Sequence, residues 1–187
     1  MTGFYKMLKI PEERIAVLIG SNGSIKRDVE AKCNVRMQID GKTGEVKVEP
    51  LSSSGFDEGA LNAIEIVKAI SHGFPPSTAF RLFNEDVTLL IIDLRINSDM
   101  SRSNENRLKG RIIGARGKSR KTIEELTGVS ISIHGHTVSF IGTFEETNIA
   151  HDAVMMLLKG RSHKVVYQML QNARSKAKLE KLKLWIN

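Results

Sequence analysis

Two segments of the chain share one pattern of hydrophobic and polar positions. Val17–Asp40 aligns without a gap to Arg111–His134, although few residues are identical. Near the end of each copy, three apolar residues alternate with polar ones, which is the period of a half-buried β-strand. The matched positions are Gly20 with Gly114, Gly23 with Gly117, Val29 with Ile123, Val35 with Val129, Met37 with Ile131, and Ile39 with Ile133. Such a repeat predicts two copies of one folding unit.

The same order of predicted elements surrounds both copies. A strand precedes each glycine pair, and a turn, a second strand and an amphipathic helix follow each matched strand. These flanking elements are Lys6–Ile10, Glu45–Glu49 and Asp57–Ser71 in the first copy, and Val87–Ile96, Thr137–Ile141 and Glu145–Lys159 in the second. The order β-α-α-β-β-α, found twice, predicts an α+β fold with two tandem domains.

The boundary between the predicted domains lies in a stretch rich in proline and glycine. Ser71–Ser77 disfavours both helix and strand because it contains glycine and two prolines. We therefore expect a first domain over residues 1–74, a linker over 75–80 and a second domain over 81–187.

Two segments distinguish the second domain from the first. Asn97–Asn106 is polar and predicts a loop. Ser162–Trp185 repeats apolar residues at helical spacing and predicts an additional helix. The interpretation we favour is a packed helix with a basic outer face. The alternatives are a helix that extends a nucleic-acid surface and a helix that receives a protein partner.

Each matched glycine pair has the form G-x-x-G and lies between two predicted helices. A third G-x-x-G, Gly41–Gly44, joins two predicted strands and is interpreted as a hairpin turn. In the other two, glycine permits a tight turn between helices and leaves no β-carbon to block a ligand. Backbone amides at the start of the next helix, with the helix dipole, favour phosphate. We therefore expect Gly20–Gly23 and Gly114–Gly117 to contact a nucleic-acid backbone.

These two loops resemble a known family. Ile19–Gly23 and Ile113–Gly117 resemble the signature of KH domains, and the order of elements resembles the type I form of that domain. The resemblance covers nearly all of the chain. It implies a non-catalytic protein in which a glycine loop clamps about four nucleotides of single-stranded RNA. Both copies depart from the family three residues after the second glycine, where an apolar residue is usual and this chain has Lys26 and Arg120.

Charge separates the two copies. The chain has 28 Lys and Arg against 21 Asp and Glu, a net charge of +7, which favours a polyanionic partner. Seven basic residues and no acidic residue lie in Arg107–Lys121, whereas Glu13–Arg27 contains three basic residues and one acidic residue. Because each neutralised phosphate releases counterions, we expect the second domain to carry most of the affinity for RNA.

A narrower resemblance rests on the second copy. Gly114–Gly135 and Lys159–Lys176 resemble the ribosome-assembly branch of KH proteins, which includes archaeal members and the eukaryotic partner-of-NOB proteins. This resemblance implies binding near the 3′ end of small-subunit ribosomal RNA, alongside a processing nuclease. The intact loop Gly20–Gly23 favours an archaeal member.

The residues predicted to contact RNA lie in the two loops, in the helices next to them and on one strand. In the first domain they are Gly20, Ser21, Asn22, Gly23, Lys26 and Arg27. In the second domain they are Arg111, Ile113, Gly114, Ala115, Arg116, Gly117, Lys118, Arg120, Lys121, Ile131 and Ile133. The second loop is the predicted main phosphate cradle. The first loop is either a secondary site or a surface that faces the other domain.

Other patterns do not predict catalysis or metal binding. His134 and His136 flank a glycine in a predicted turn without a third ligand nearby, and Cys33 is interpreted as a packing residue. A single cysteine permits no disulfide within the chain, and no apolar run reaches the roughly 20 residues that cross a bilayer. We expect a cytoplasmic protein without enzymatic activity, cofactor or metal.

Three alternatives to a ribosome-assembly factor remain. One is a protein adaptor whose partner is a processing nuclease or a translation initiation factor. Another is a KH subunit of a different RNA-processing complex, or a regulator of messenger RNA. The third, a hydrolase, is the weakest because no G-x-S-x-G or comparable catalytic motif is present.

Overall fold

The computed structural model describes residues 6–51, 58–95 and 102–186, and parts of the predicted elements fall outside these ranges. The chain forms two compact units, and the first of them ends at Glu85. The sequence predicts a linker at residues 75–80, whereas the structure places residues 76–80 in short helical segments of the first unit. Proline does not prevent this, because at the first position of a helix it forfeits no intrahelical hydrogen bond.

The described residues of the first unit form three strands and four α-helices. They are β1 (Lys6–Lys9), α1 (Glu12–Ile19), α2 (Ser24–Cys33), β2 (Val35–Ile39), β3 (Glu45–Pro50), α3 (Glu58–Ser71) and α4 (Pro76–Ala79). Strand β3 lies between β1 and β2 and is antiparallel to both. The turn between β2 and β3 is closed by a 3.0 Å bond from Gly44 N to Asp40 O, which confirms the predicted hairpin.

The second unit repeats this order and adds a long helix. Its elements are β4 (Val87–Asp93), α5 (Arg102–Ile113), α6 (Lys118–Thr127), β5 (Ser130–His134), β6 (Thr137–Thr143), α7 (Phe144–Leu158) and α8 (His163–Ile186). Strand β6 lies between β4 and β5, again antiparallel to both. The order β-α-α-β-β-α in both units confirms the predicted α+β class and the type I arrangement.

The start of α5 differs from the predicted loop at Asn97–Asn106. Within the described residues, Asn104–Asn106 are helical, because α5 already begins at Arg102. Glu105 forms an ion pair with Lys109 one turn later, and such pairs stabilise a polar helix. Polar composition alone therefore did not distinguish a loop from a solvated helix.

Helix α8 belongs to the core of the second unit. Its side chains Val166 and Leu170 are 0% and 1% exposed and pack in the same cluster as Ile131 and Phe140, which face each other across β5 and β6. The predicted helix is confirmed, and its apolar stripe packs within the domain. The first unit has no corresponding helix among its described residues.

Candidate nucleic-acid interface

The second glycine loop is a turn between α5 and α6 that requires glycine at its first position. Gly114 has φ 71° and ψ 174°, a region that is essentially restricted to glycine. A β-carbon at Gly114 would lie 2.6 Å from Ser119 Cβ and 2.8 Å from Ser119 N. After a 3-10 turn at Ala115–Gly117, α6 begins. The absence of a side chain at Gly114 thus allows the start of α6 to pack directly against the end of α5.

The first loop repeats this backbone conformation. Gly20 has φ 72° and ψ 176°, close to the values of its counterpart. In both loops the residue before the second glycine is left-handed, with φ 51° at Asn22 and 52° at Arg116. Asparagine visits this region readily, whereas it costs other residues roughly 1–2 kcal/mol. The strained arginine therefore points to a function at Arg116 that offsets the cost.

The helices that follow the loops begin without a side-chain cap. Gly23 precedes α2 and Gly117 precedes α6, and among the described residues no side chain caps either helix. In contrast, α7 begins with a capping box in which Thr143 and Glu146 bond reciprocally to each other's backbone N–H groups. The first N–H of α2 and that of α6 donate back into their loops, from Ser24 to Ser21 O and from Lys118 to Ala115 O. A helix start without a side-chain cap, together with the helix dipole, favours phosphate. Both loops are suited to hold a phosphate group.

Basic side chains are more available around the second loop than around the first. Arg116, Lys118 and Lys121 are exposed there. In the first loop the position of Arg116 is taken by Asn22, and Arg27 Nη1 donates to the Asn22 carbonyl at 2.6 Å. The charge of Arg27 is thus partly engaged in bracing its own loop. This difference favours the second loop as the stronger phosphate site.

Arg111 has a structural contact that the sequence did not suggest. It is predicted to contact RNA, but its Nε donates to Leu157 O at 3.1 Å and its Nη2 to Arg161 O at 2.8 Å. These bonds satisfy carbonyl groups at the end of α7. Arg14 binds the end of α3 in the same way, because its side chain donates to Ile70 O at 2.7 Å and to Phe74 O at 2.6 Å. The two arginines do not align in the repeat, so the alignment gave no sign of their shared role.

The predicted apolar residues are divided between surface and core. Ile113, directly before the second loop, is 38% exposed, and Ile133 on β5 is half-buried. Ile131 is 4% exposed and belongs to the core cluster. Ile113 and Ile133 are therefore placed where a base could contact them, whereas Ile131 supports β5 from within.

Two glutamates that the sequence did not predict as site residues lie beside Lys26 and Arg120, the two basic residues that stand where KH domains usually have an apolar residue. Lys26 forms an ion pair with Glu30 at 3.8 Å, and Arg120 forms one with Glu124 at 3.7 Å. The glutamates also align with each other in the repeat. An acidic residue four positions after a basic one, at matched places in both copies, is the signal that could have identified them.

A histidine in the turn between β5 and β6 contacts a carboxylate of α5. His136 Nδ1 lies 2.9 Å from each carboxylate oxygen of Glu105. Hydrogen bonds with Lys109, which has the larger effect, and with His136 hold the pKa of Glu105 below its usual value. Among the residues that the structure describes, no cluster of three or more His, Cys, Asp and Glu side chains could bind a metal ion. Within the same ranges, no helix is long and apolar enough to span a membrane.

Both units match models of known domain families. Residues 5–69 match a model described as KH domain, and residues 88–175 match one described as eukaryotic type KH-domain (KH-domain type I). The fold and the two glycine loops therefore define a protein with two type I KH domains.

The chain also resembles whole proteins with this arrangement. A KH domain-containing protein of Methanocaldococcus jannaschii is 39% identical, over 96% of this chain and 78% of that protein. The pre-rRNA-processing protein pno1 of Aspergillus fumigatus is 29% identical, over 79% of this chain and 58% of that protein. A chain in the crystal structure of the a/eIF2alpha–aDim2p–rRNA complex from Pyrococcus horikoshii has a TM-score of 0.84 and 38% identity, covering 92% of this chain and 95% of that one. The protein belongs to the Pno1-like family of KH-domain proteins.

Proposed function

We propose that this protein binds single-stranded RNA near the 3′ end of small-subunit ribosomal RNA and acts, without catalysis, as an assembly factor of that subunit. The observation that carries the proposal is the second glycine loop. A helix start without a side-chain cap, the strained Arg116 and the exposed basic side chains of Lys118 and Lys121 lie together there. Such a surface attracts a phosphate backbone, and a KH loop clamps about four nucleotides of a single strand.

The relatives support the RNA target. The Aspergillus fumigatus relative is named a pre-rRNA-processing protein, and the Pyrococcus horikoshii complex contains ribosomal RNA. A role in the processing of ribosomal RNA is therefore the broad part of the proposal. The 3′ region and a processing nuclease as a neighbour are the narrower part, which follows from the family resemblance of the second domain.

The main cradle is tested by reversing charge in each loop separately. The double variant Ala115→Asp, Arg116→Asp places two carboxylates where the phosphates would lie, and we expect it to weaken RNA binding more than about tenfold. Aspartate tolerates left-handed backbone, so the loop should keep its fold. The matched control is Ser21→Asp, Asn22→Asp in the first loop, for which we expect a smaller loss. Unchanged affinity in the second-loop variant would contradict the assignment.

The RNA target is tested by comparing sequences. Short single-stranded RNAs from the small-subunit 3′ end should bind more tightly than shuffled versions. This preference should persist at higher salt, because phosphate contacts weaken with salt whereas base contacts do not depend on counterion release. Equal and steeply salt-dependent binding of both sets would leave only a basic surface without a specific target.

A second candidate function is that of a protein adaptor for a translation initiation factor. It is favoured by the Pyrococcus horikoshii structure, in which a/eIF2alpha is part of the complex. Titration of the a/eIF2alpha subunit into the wild type and into the Ala115→Asp, Arg116→Asp variant separates the two functions. If the wild type and the variant bind a/eIF2alpha equally well without RNA, the protein is an adaptor that uses another surface. If binding of a/eIF2alpha requires both RNA and an intact loop, RNA is the primary ligand.

A further inference from the structure

One arrangement of three groups occurs in both domains. In the second, Glu124 Oε1 accepts a 2.8 Å bond from the backbone N–H of Ile131 on β5, and Glu124 Oε2 lies 3.7 Å from Arg120 Nε. In the first, Glu30 Oε1 accepts a 2.7 Å bond from Met37 N on β2 and lies 3.8 Å from Lys26 Nζ. Each domain therefore ties a basic residue of the helix after its glycine loop to the edge strand of its sheet through a glutamate.

The glutamate attracts its basic neighbour towards the edge strand. Strand β5 is at the edge of its sheet, and the N–H of Ile131 bonds to the Glu124 carboxylate instead of to another strand. A carboxylate held in this way has little freedom, and it attracts the guanidinium of Arg120, whose Nε lies 3.7 Å away, without a direct hydrogen bond. The side chain of Arg120 is 41% exposed and thus remains accessible to a ligand.

Arg120 also carries an unsatisfied donor. Its Nε is buried and, among the described residues, has no hydrogen-bond partner, since Glu124 at 3.7 Å is too distant. A buried donor without a partner calls for a rearrangement or a ligand that satisfies it. A nucleobase that lies against the guanidinium would exclude water. Nε could then move to within hydrogen-bonding distance of Glu124, while the terminal Nη groups donate to the nucleobase.

We propose that Arg120, positioned by Glu124, reads a guanine in the single strand whose phosphates lie on Gly114–Gly117. The inference rests on the proposed function and adds a base specificity to the same site. Arginine only donates hydrogen bonds, through a planar fork. Guanine presents two adjacent acceptors, O6 and N7, on one edge without a donor between them, whereas adenine replaces O6 with an amino donor.

The position of Arg120 supports base contact. It lies in the first turn of α6, three residues after Gly117, and Glu124 ties it towards β5. The Arg120 side chain thus lies between the phosphate cradle and the edge strand. At this position KH domains usually present an apolar side chain to the nucleobases. Lys26 occupies the matched place in the first domain, but a lysine is a point charge without a fork. The unsatisfied donor at Arg120 Nε supports the assignment of guanine reading to the second domain.

The test uses short single-stranded RNAs from the small-subunit 3′ end in which each guanine is replaced in turn by adenine. With the wild type, replacement at one position should weaken binding about tenfold or more. At that position, 7-deazaguanine, which lacks N7, should cause a comparable loss, and inosine, which keeps O6 and N7, should bind nearly as well as guanine.

Variants assign this discrimination to Arg120. Arg120→Met removes every donor of the side chain and should bring the ratio of guanine to adenine affinity close to one. Glu124→Gln keeps an acceptor for Ile131 N–H but removes the ion pair, so it should lower the ratio without unfolding the domain, which circular dichroism checks. The control Arg174→Met removes an arginine of α8 that lines a groove at the opposite end of α6, and it should leave the ratio unchanged.

Two results would overturn the inference. One is an identical ratio of guanine to adenine affinity in the wild type and in Arg120→Met, and the other is full binding of the 7-deazaguanine RNA. Failure of the proposed function is seen separately. If the natural 3′ end binds no better than shuffled RNA while discrimination still depends on Arg120, the ribosomal target is wrong and the guanine contact stands.

Discussion

Gly114 and Ser119 lie so close together that a β-carbon on the glycine would be 2.6 Å from the Ser119 β-carbon. This contact brings the first turn of α6 against the end of α5, and it fixes where the start of α6 lies. The geometry of the phosphate site therefore depends on a packing contact behind the loop as well as on the residues at its surface.

Replacement of Gly114 by alanine should destabilise the protein and disturb the site. The backbone conformation alone costs about 1–3 kcal/mol for a residue with a side chain, and the contact with Ser119 adds to it. We expect the free energy of unfolding in urea to fall by at least about 2 kcal/mol. Gly41→Ala is the matched control, because a β-carbon there has no atom within 4 Å, and it should change stability by less than about 1 kcal/mol. Equal effects of the two substitutions would contradict this account.

Arg116→Asn should separate stability from binding. Asn22 already occupies the matched left-handed position in the first loop, so asparagine is compatible with this backbone. Relief of strain should leave the free energy of unfolding unchanged or raise it by up to about 1 kcal/mol. Loss of one phosphate contact should weaken RNA binding and reduce the slope of log K against log salt by roughly one. A variant that is less stable, or that keeps the full slope, would show that Arg116 is not held in strain for a phosphate.

The sequence predicted the backbone of the site better than its side-chain contacts. Glycine pairs and alternating strands are local patterns, and they correctly placed Gly114, Gly117 and β5 in one repeated unit. The direction of a long side chain depends on what packs beside it. Arg111 was predicted to contact RNA, and nothing in the sequence predicted its bonds to the end of α7, whose residues lie more than forty positions along the chain.

Glu124 illustrates a second limit of the sequence. A glutamate on a polar helix face is usually solvated, and no local pattern distinguishes one that bonds to the edge of a sheet. The contact from Ile131 N to Glu124 depends on how α6 lies against β5. The repeat contained the information, since Glu30 stands at the matched place, but only the structure showed that both bonds exist.

Leu170→Ala should show that α8 is part of the second domain. Leu170 is 1% exposed in the core, and removal of a buried leucine side chain leaves a cavity that costs about 2–5 kcal/mol. Leu179→Ala on the same helix is the control, because that side chain is 59% exposed and the change should stay within about 0.5 kcal/mol. Chemical denaturation of both variants measures the difference. A small effect at Leu170 would instead fit a detachable helix that is free to receive a partner.

Asp93 should make stability depend on pH in the acid range. Hydrogen bonds from the Arg95 side chain, the shortest of 2.6 Å, lower the pKa of Asp93 to about 2, and the nearby charge of His136 adds to the effect. An unfolded aspartate titrates near a pKa of about 3.9, so the unfolded chain binds a proton at higher pH than the folded protein does. The stabilisation is therefore fully present above about pH 5 and is lost as the pH falls through about 4 towards 2.

Asp93→Asn should remove this part of the pH dependence. We expect a flatter plot of the free energy of unfolding against pH between about 4 and 2 than in the wild type. Arg95→Met provides the matched test, because it removes the cation while Asp93 remains, and it should flatten the same part of the plot. If the double variant is no flatter than either single variant, the two residues act as one pair. Parallel plots for the wild type and Asp93→Asn would show that Arg95 does not lower the pKa of Asp93 in solution.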